Sequence, residues 1–174
     1  MTDEIKIITD LSPDRWAENK ALRLDAVTRV PQAFGSSPDE VLKKEESFWR
    51  SRLLKSLKND RQYWVFAEGK GELIGFMGAS AEETRKLRHI ASVSSVYVKE
   101  VYRGQGIATR LMEALLKKVA EDPLITRYDL MVVTTQTAAI ALYTKCGFSI
   151  VGTAHRNMLV DGTYYDEHLM EKLL

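Results

Sequence analysis

The chain has 174 residues and a mass of 19.8 kDa, the size of one ordinary domain that can bury a core without disulfide or metal staples. A hydrophobic fraction of 45% excludes a disordered chain, and 25 Lys plus Arg against 24 Asp plus Glu leave a formal charge of +1, with no electrostatic footprint for nucleic acid or an acidic membrane. Cys146 stands alone, which excludes an internal disulfide, and His89, His155 and His168 share no metal-ligand spacing, so no metal is expected.

The start, MTDEIKIITD, is acidic and lacks the apolar core of a signal peptide, and no apolar run approaches the ~20 residues that cross a bilayer. The expectation is a reduced, cytosolic, soluble protein, with residues 1–174 forming one domain. Ile5 to Thr9 reads as a short strand. Ser12-Pro13 then opens a helix to about Val30, which Pro31 stops. Ser37 and Glu40 have capping-box spacing around Pro38, and a second helix is expected to run unbroken to about Lys58, with Lys43 to Glu46 as a solvated face.

Tyr63 to Glu68 and Glu72 to Ser80 flank Gly69-Lys70-Gly71 as a hairpin, in which Tyr63, Trp64 and Phe66 are mostly core. A polar loop leads to a long strand, Ile90 to Val98. Ile107, Leu111, Leu115 and Val119 recur every four residues on the next helix, which Asp122-Pro123 ends. Arg127 to Thr134 has the apolar centre of a strand covered on both faces. A short helix, about Ala138 to Cys146, closes at Gly147. Strands at Phe148 to Thr153, Met158 to Val160 and Tyr164 to Met170 follow, the last two around Asp161-Gly162. This order predicts an α/β fold, a mixed sheet with helices on both faces.

The most informative stretch is Val96 to Thr109. A strand enters a turn with Gly104 and Gly106, which enters an amphipathic helix. The first N–H groups of a helix have no internal partner and lie at the positive end of its dipole, and glycines let an anion approach the backbone. A phosphate or pyrophosphate site is the functional reading, and a ligand-free strand-to-helix turn is the alternative. A P-loop would need Lys-Ser/Thr where Ile107-Ala108 stands, and the dinucleotide fingerprint would need Gly or Ala where Thr109 stands.

Arg103-Gly104-Gln105-Gly106-Ile107-Ala108 resembles the acyl-CoA motif Q/R-x-x-G-x-G/A of the GNAT superfamily of N-acetyltransferases. Ala139-Ile140-Ala141-Leu142-Tyr143-Thr144-Lys145-Cys146-Gly147-Phe148 resembles its second hallmark, at the expected separation. The resemblance covers residues 63 to 170, and Leu22-Arg23-Leu24 with Pro31 to Ser37 resemble a segment of many small members. It implies a GNAT-type fold with splayed central strands, in which acyl-CoA lies between Ile90–Val98 and Arg127–Thr134. Backbone groups of Val96 and Val98 would pair with the pantetheine arm. The N–H groups of Arg103, Gly104, Gln105, Gly106, Ile107 and Ala108, with Thr109, would hold the pyrophosphate. Gln136 stands where many members have an Asn that contacts the pantetheine.

Tyr143 matches the family tyrosine that protonates the departing CoA thiolate. An amine attacking a thioester expels a thiolate whose conjugate acid has a pKa of ~8.5, and a phenol near ~10 can donate to it. The resemblance supplies no base: where some members carry Glu, this chain has His89 to Ser95. Ser92 and Ser94 share a strand face that could hold relay waters. His89 reads as a surface residue, and Glu82, Glu83 and Glu167 as solvated charges with an outside claim. An acyl-cysteine route through Cys146 is disfavoured, since a buried inert thiol is the usual state at a helix end.

The implied function is direct transfer of an acetyl group from acetyl-CoA to a primary amine. A non-catalytic acyl-CoA sensor is the alternative, and a nucleotide-binding domain is disfavoured by spacing. The implied partners are acetyl-CoA and the amine, without nucleic acid or membrane, and a homodimer stays open. The acceptor is expected between Pro31–Ser37, the loop near Ala79–Glu83 and the hairpin at Asp161–Glu167, with Phe34 and Gly35 as pocket-shaping residues or, for Phe34, a core plug.

Overall fold

The computed structural model describes residues 4–174; the acidic start at Met1 to Asp3, read above as no signal peptide, lies outside them. Seven strands form one sheet in the order β1-β2-β3-β4-β5-β7-β6. They are β1 (Lys6–Ile8), β2 (Gln62–Gly69), β3 (Glu72–Ala81), β4 (Ile90–Val98), β5 (Arg127–Val133), β6 (Ser149–Val160) and β7 (Thr163–Leu173). Every neighbouring pair is antiparallel except β4 and β5. The β2–β3 turn places Lys70 and Gly71 both at positive φ, the geometry of a two-residue hairpin.

The strand period of two sorts the core into two layers. Val65, Ala67, Ile74 and Met77 pack under α4 (Ile107–Val119), in one cluster with Tyr143 of α5 (Thr137–Lys145). Trp64, Phe66, Phe76 and Tyr97 point the other way, onto α1 (Trp16–Arg29), α2 (Pro38–Lys43) and α3 (Glu46–Leu57). Gly78 pairs with Trp64 across β2–β3, and a Cβ there would meet the indole at 2.6 Å. No helix among the described residues is long and apolar enough to cross a membrane.

Three expectations need correction. The helix expected from Ser37 to Lys58 is two helices. Ser37 and Glu40 form the capping box, but the chain leaves the helix at Lys44 and re-enters it after Glu45. Lys20, on α1, donates from Nζ to the carbonyls of Leu42 (3.0 Å) and Lys44 (2.8 Å), so a cation from elsewhere satisfies the end of α2. The separate strands at Phe148–Thr153 and Met158–Val160 are one strand, β6, with register shifts against β7. β5 is not covered on both faces, because Met131 opens onto a cleft.

Candidate active site

β4 and β5 run side by side but pair only at Ile90, Ala91 and Ser92 with Arg127, Tyr128 and Asp129. Ser92 fastens this end by donating from its hydroxyl to Asp129. Beyond it β4 carries a bulge, where Ser95 takes φ 58° between the Gly78–Ser94 and Phe76–Tyr97 pairs. The strands part there and leave a cleft of ≈ 350 Å³ that reaches from the turn before α4 to α5 and β7.

At the turn end, Gly104 and Gly106 lie at φ 76° and 73°, and a Cβ on either would meet nothing within 4 Å. Gly106 is the N-cap of α4 and has no side chain to occupy the first-turn N–H groups, and that turn holds no acidic residue. Arg103, Gly104, Gly106, Ile107, Ala108 and Thr109 line the cleft. Gln105 lies outside that lining and is exposed. The result is an open cluster of N–H donors at a helix N-terminus, suited to a diphosphate. Val96 and Val98 lie along the β4 wall, where the Val98 carbonyl already accepts a bond from Arg103 Nε at 3.0 Å.

At the other end, α5 brings Tyr143 into the cleft wall at 6% exposure, its ring edge-on to Phe148. Its hydroxyl bonds to no other described residue. Burial, with a smaller contribution from Cys146, pushes the phenol above its usual value, so it stays protonated as a donor. Gln136, at the N-cap of α5, also lines the cleft. Glu167 is the residue that sequence reasoning undervalued. It is 7% exposed, lines the same cleft, and accepts a bond from Asn157 Nδ2 at 2.6 Å. Of the two serines on one strand face, Ser94 lines the cleft while Ser92 is held by Asp129. His89, Glu82, Glu83 and Cys146 lie outside the lining, and burial pushes the Cys146 thiol up, away from the reactive thiolate.

On the remaining wall, Phe34 joins Val30, Gln32 and Ala33. Both readings of Phe34 describe its placement. It lines the cleft, yet it is 5% exposed and packs on Phe76 and Tyr97. Gly35 is exposed and outside the lining; residues 79–83 are outside it too, with Ala79 and Ala81 buried in the core.

A family model described as the acetyltransferase (GNAT) family matches residues 24–148. An L-amino acid N-acetyltransferase of Escherichia coli is 25% identical over 103 residues, 59% of this chain; the match spans 63% of that relative, less than two thirds of its length. A solved acetyltransferase of the GNAT family from Streptococcus pneumoniae superposes with a TM-score of 0.88 at 26% identity, over 98% of this chain and 100% of that one. A phosphinothricin acetyltransferase from Sinorhizobium meliloti, solved with acetyl-CoA, gives a TM-score of 0.79 at 20% identity, over 100% of this chain and 89% of that one.

Proposed function

Because this chain belongs to the GNAT family of acetyltransferases, we propose that it moves an acetyl group from acetyl-CoA to a primary amine by direct attack, with residues 1–174 as one catalytic domain. The observation that carries the reading is the parting of β4 from β5, which opens one cleft lined by a bare helix N-terminus, a buried phenol and a buried carboxylate.

Each part of the chain has a role in this reading. First-turn N–H groups of α4 and the Gly104–Gly106 turn bind the diphosphate of the donor. Val96 and Val98 align its arm along β4. The Tyr143 hydroxyl donates its proton to the departing thiolate, which would otherwise leave as an anion into a poorly solvated wall. Glu167, oriented by Asn157, takes the proton from the attacking amine, whose nitrogen becomes a strong acid as it bonds to the carbonyl carbon. One proton leaves the nitrogen and one reaches the sulfur, so the charge balances. Cys146 takes no part.

The test is an amine panel with acetyl-CoA, read by thiol release and by mass spectrometry of the acetylated product. Thiol release that depends on the amine supports transfer. Binding of acetyl-CoA by folded protein with no product from any amine refutes it and leaves the acyl-CoA sensor.

A further inference from the structure

β6 carries three residues where β7 carries one. Ala154 pairs with Glu167 and Met158 with Tyr165, so His155, Arg156 and Asn157 have only Asp166 opposite them. Arg156, at the middle of this bulge, takes φ 52°, the left-handed region that a residue other than glycine enters only at a cost. The bulge decides where Asn157 points. In an unbroken register continued from the Ala154–Glu167 pair, Asn157 would stand opposite Tyr164, three residues or about 10 Å along β7 from Glu167, and on the other face of the sheet. The two extra residues bring its amide back to the carboxylate, where Nδ2 donates to Glu167 Oε2 at 2.6 Å and leaves Oε1 for the amine.

One side chain holds this detour of the chain. The backbone carbonyl of Asp166 is engaged on the far side, where it accepts from the N–H of Thr134 at 2.9 Å, so its carboxylate serves β6 instead. Oδ1 accepts from the backbone N–H of Arg156 at 2.8 Å, and Oδ2 pairs with His155 Nδ1 at 2.9 Å. The carboxylate thus replaces the ladder partner that the bulge takes from Arg156. The bond from Arg156, then that from His155, hold the Asp166 carboxyl below its ordinary value, so it is an ionised acceptor at neutral pH. The other hold on the bulge is weaker: the Arg156 guanidinium lies 5.5 Å from the centre of the exposed Tyr164 ring. Asp166 itself lies outside the cleft lining, so it reaches the reaction only through Asn157 and Glu167.

We propose that Asp166 is a positioning residue for acetyl transfer: its carboxylate pins the β6 bulge, the bulge aims Asn157 at Glu167, and the Glu167 carboxylate is thereby held toward the attacking amine. This rests on the reading of Glu167 as the base.

The experiment pairs Asp166→Ala with Asp166→Asn, whose amide oxygen still accepts from the Arg156 N–H. With an amine that the wild type acetylates, kcat of Asp166→Ala near neutral pH should fall about 10-fold or more, a part of the ~10²–10⁴ that a positioned base supplies, with acetyl-CoA affinity unchanged; Asp166→Asn should restore most of the loss. In the Glu167→Gln background Asp166→Ala should cost nothing further, because the route it acts through is already cut. Wild-type kcat in folded Asp166→Ala overturns the proposal, as does the same loss repeated in the Glu167→Gln background, the mark of a purely structural role. The Asn157 side-chain amide gives a second readout that needs no turnover. In nitrogen–proton correlation spectra its protons should lie downfield and exchange slowly in the wild type and Asp166→Asn, and revert to ordinary values in Asp166→Ala. If Glu167→Gln turns over at the wild-type rate, or no amine is acetylated, the base or the transfer reading fails separately. The amide resonance then decides whether Asp166 aims Asn157 at Glu167: loss of its shift in Asp166→Ala supports the proposal, and an unmoved resonance overturns it.

Discussion

Replacing Gly106 with Asn and with Asp separates charge from shape at the diphosphate end of the cleft. Both side chains tolerate the positive φ of 73° better than other residues, both can cap the first turn of α4, and both enter space where a Cβ meets nothing within 4 Å. Backbone strain of roughly 1 kcal/mol is common to the two and cancels in their comparison. The difference is one negative charge facing a diphosphate. At about 5 Å a pair of unit charges repels by about 0.8 kcal/mol in bulk water and by about 3.3 kcal/mol at an effective dielectric constant near 20. CoA affinity of Gly106→Asp should therefore fall about 4-fold to about 250-fold below that of Gly106→Asn. Titration calorimetry at low and high salt measures it, and the gap should narrow as salt shortens the screening length. Equal affinities in two folded variants would show that the diphosphate does not lie on this helix terminus.

Tyr143→Phe should lower turnover by ~10²-fold or more with CoA affinity near normal, because the hydroxyl holds no other part of the fold; single-turnover kinetics check it, and an unchanged chemical step assigns the proton to water. Glu167→Gln keeps an acceptor for Asn157 but loses the base, so turnover near neutral pH should fall by ~10²-fold and recover as pH rises toward ~10, where hydroxide can take the proton from the attacking nitrogen; a flat profile at wild-type rate removes Glu167 from the chemistry. Phe34→Ala empties a packed site beneath Arg23 and should cost ~3–5 kcal/mol, a fall in melting temperature of roughly 6–20 °C, alongside weaker acceptor binding; a normal melting temperature would show that the ring is no core plug. Burial pushes Asp25 up, but bonds from Tyr97 and Arg29 outweigh it and hold its pKa below the ordinary carboxylate value. Its contribution to stability is present above about pH 4 and is lost as pH falls through the folded value, so Asp25→Asn should flatten acid unfolding in that window, measured by urea melts across pH.

What the sequence disclosed follows how local the cause was. Gly104 and Gly106 are legible because positive φ is a local demand, and Ser37 with Glu40 because a capping box closes within one turn. The break at Lys44 was hidden because the side chain that ends α2 is Lys20, on another helix. Tyr143 was found through the residues around it. Glu167 looked like any strand carboxylate until pairing of β6 with β7 brought Asn157 beside it. The bonds of Arg23 could not be read from its neighbours in the chain, since Ser36 and Ser95 reach it only in the folded molecule. The bulge at Ser95, which aims that hydroxyl at Arg23, leaves no mark in the run Val93-Ser94-Ser95-Val96.

The parting of β4 from β5 also has a mechanical side. Within the sheet only three ladder pairs join β4 to β5, which divides it into two plates along a short seam that the apolar core under α4 still spans. A donor lying in the gap bridges the plates as an extra strand would, and its binding energy adds to the stability of the joined state. In free protein the plate carrying α5 should open first, and amides of β5 and β7 should exchange earlier than those of β2 and β3. With CoA present both plates should exchange together, so the ligand acts as a rivet that turns two loosely coupled halves into one cooperative unit.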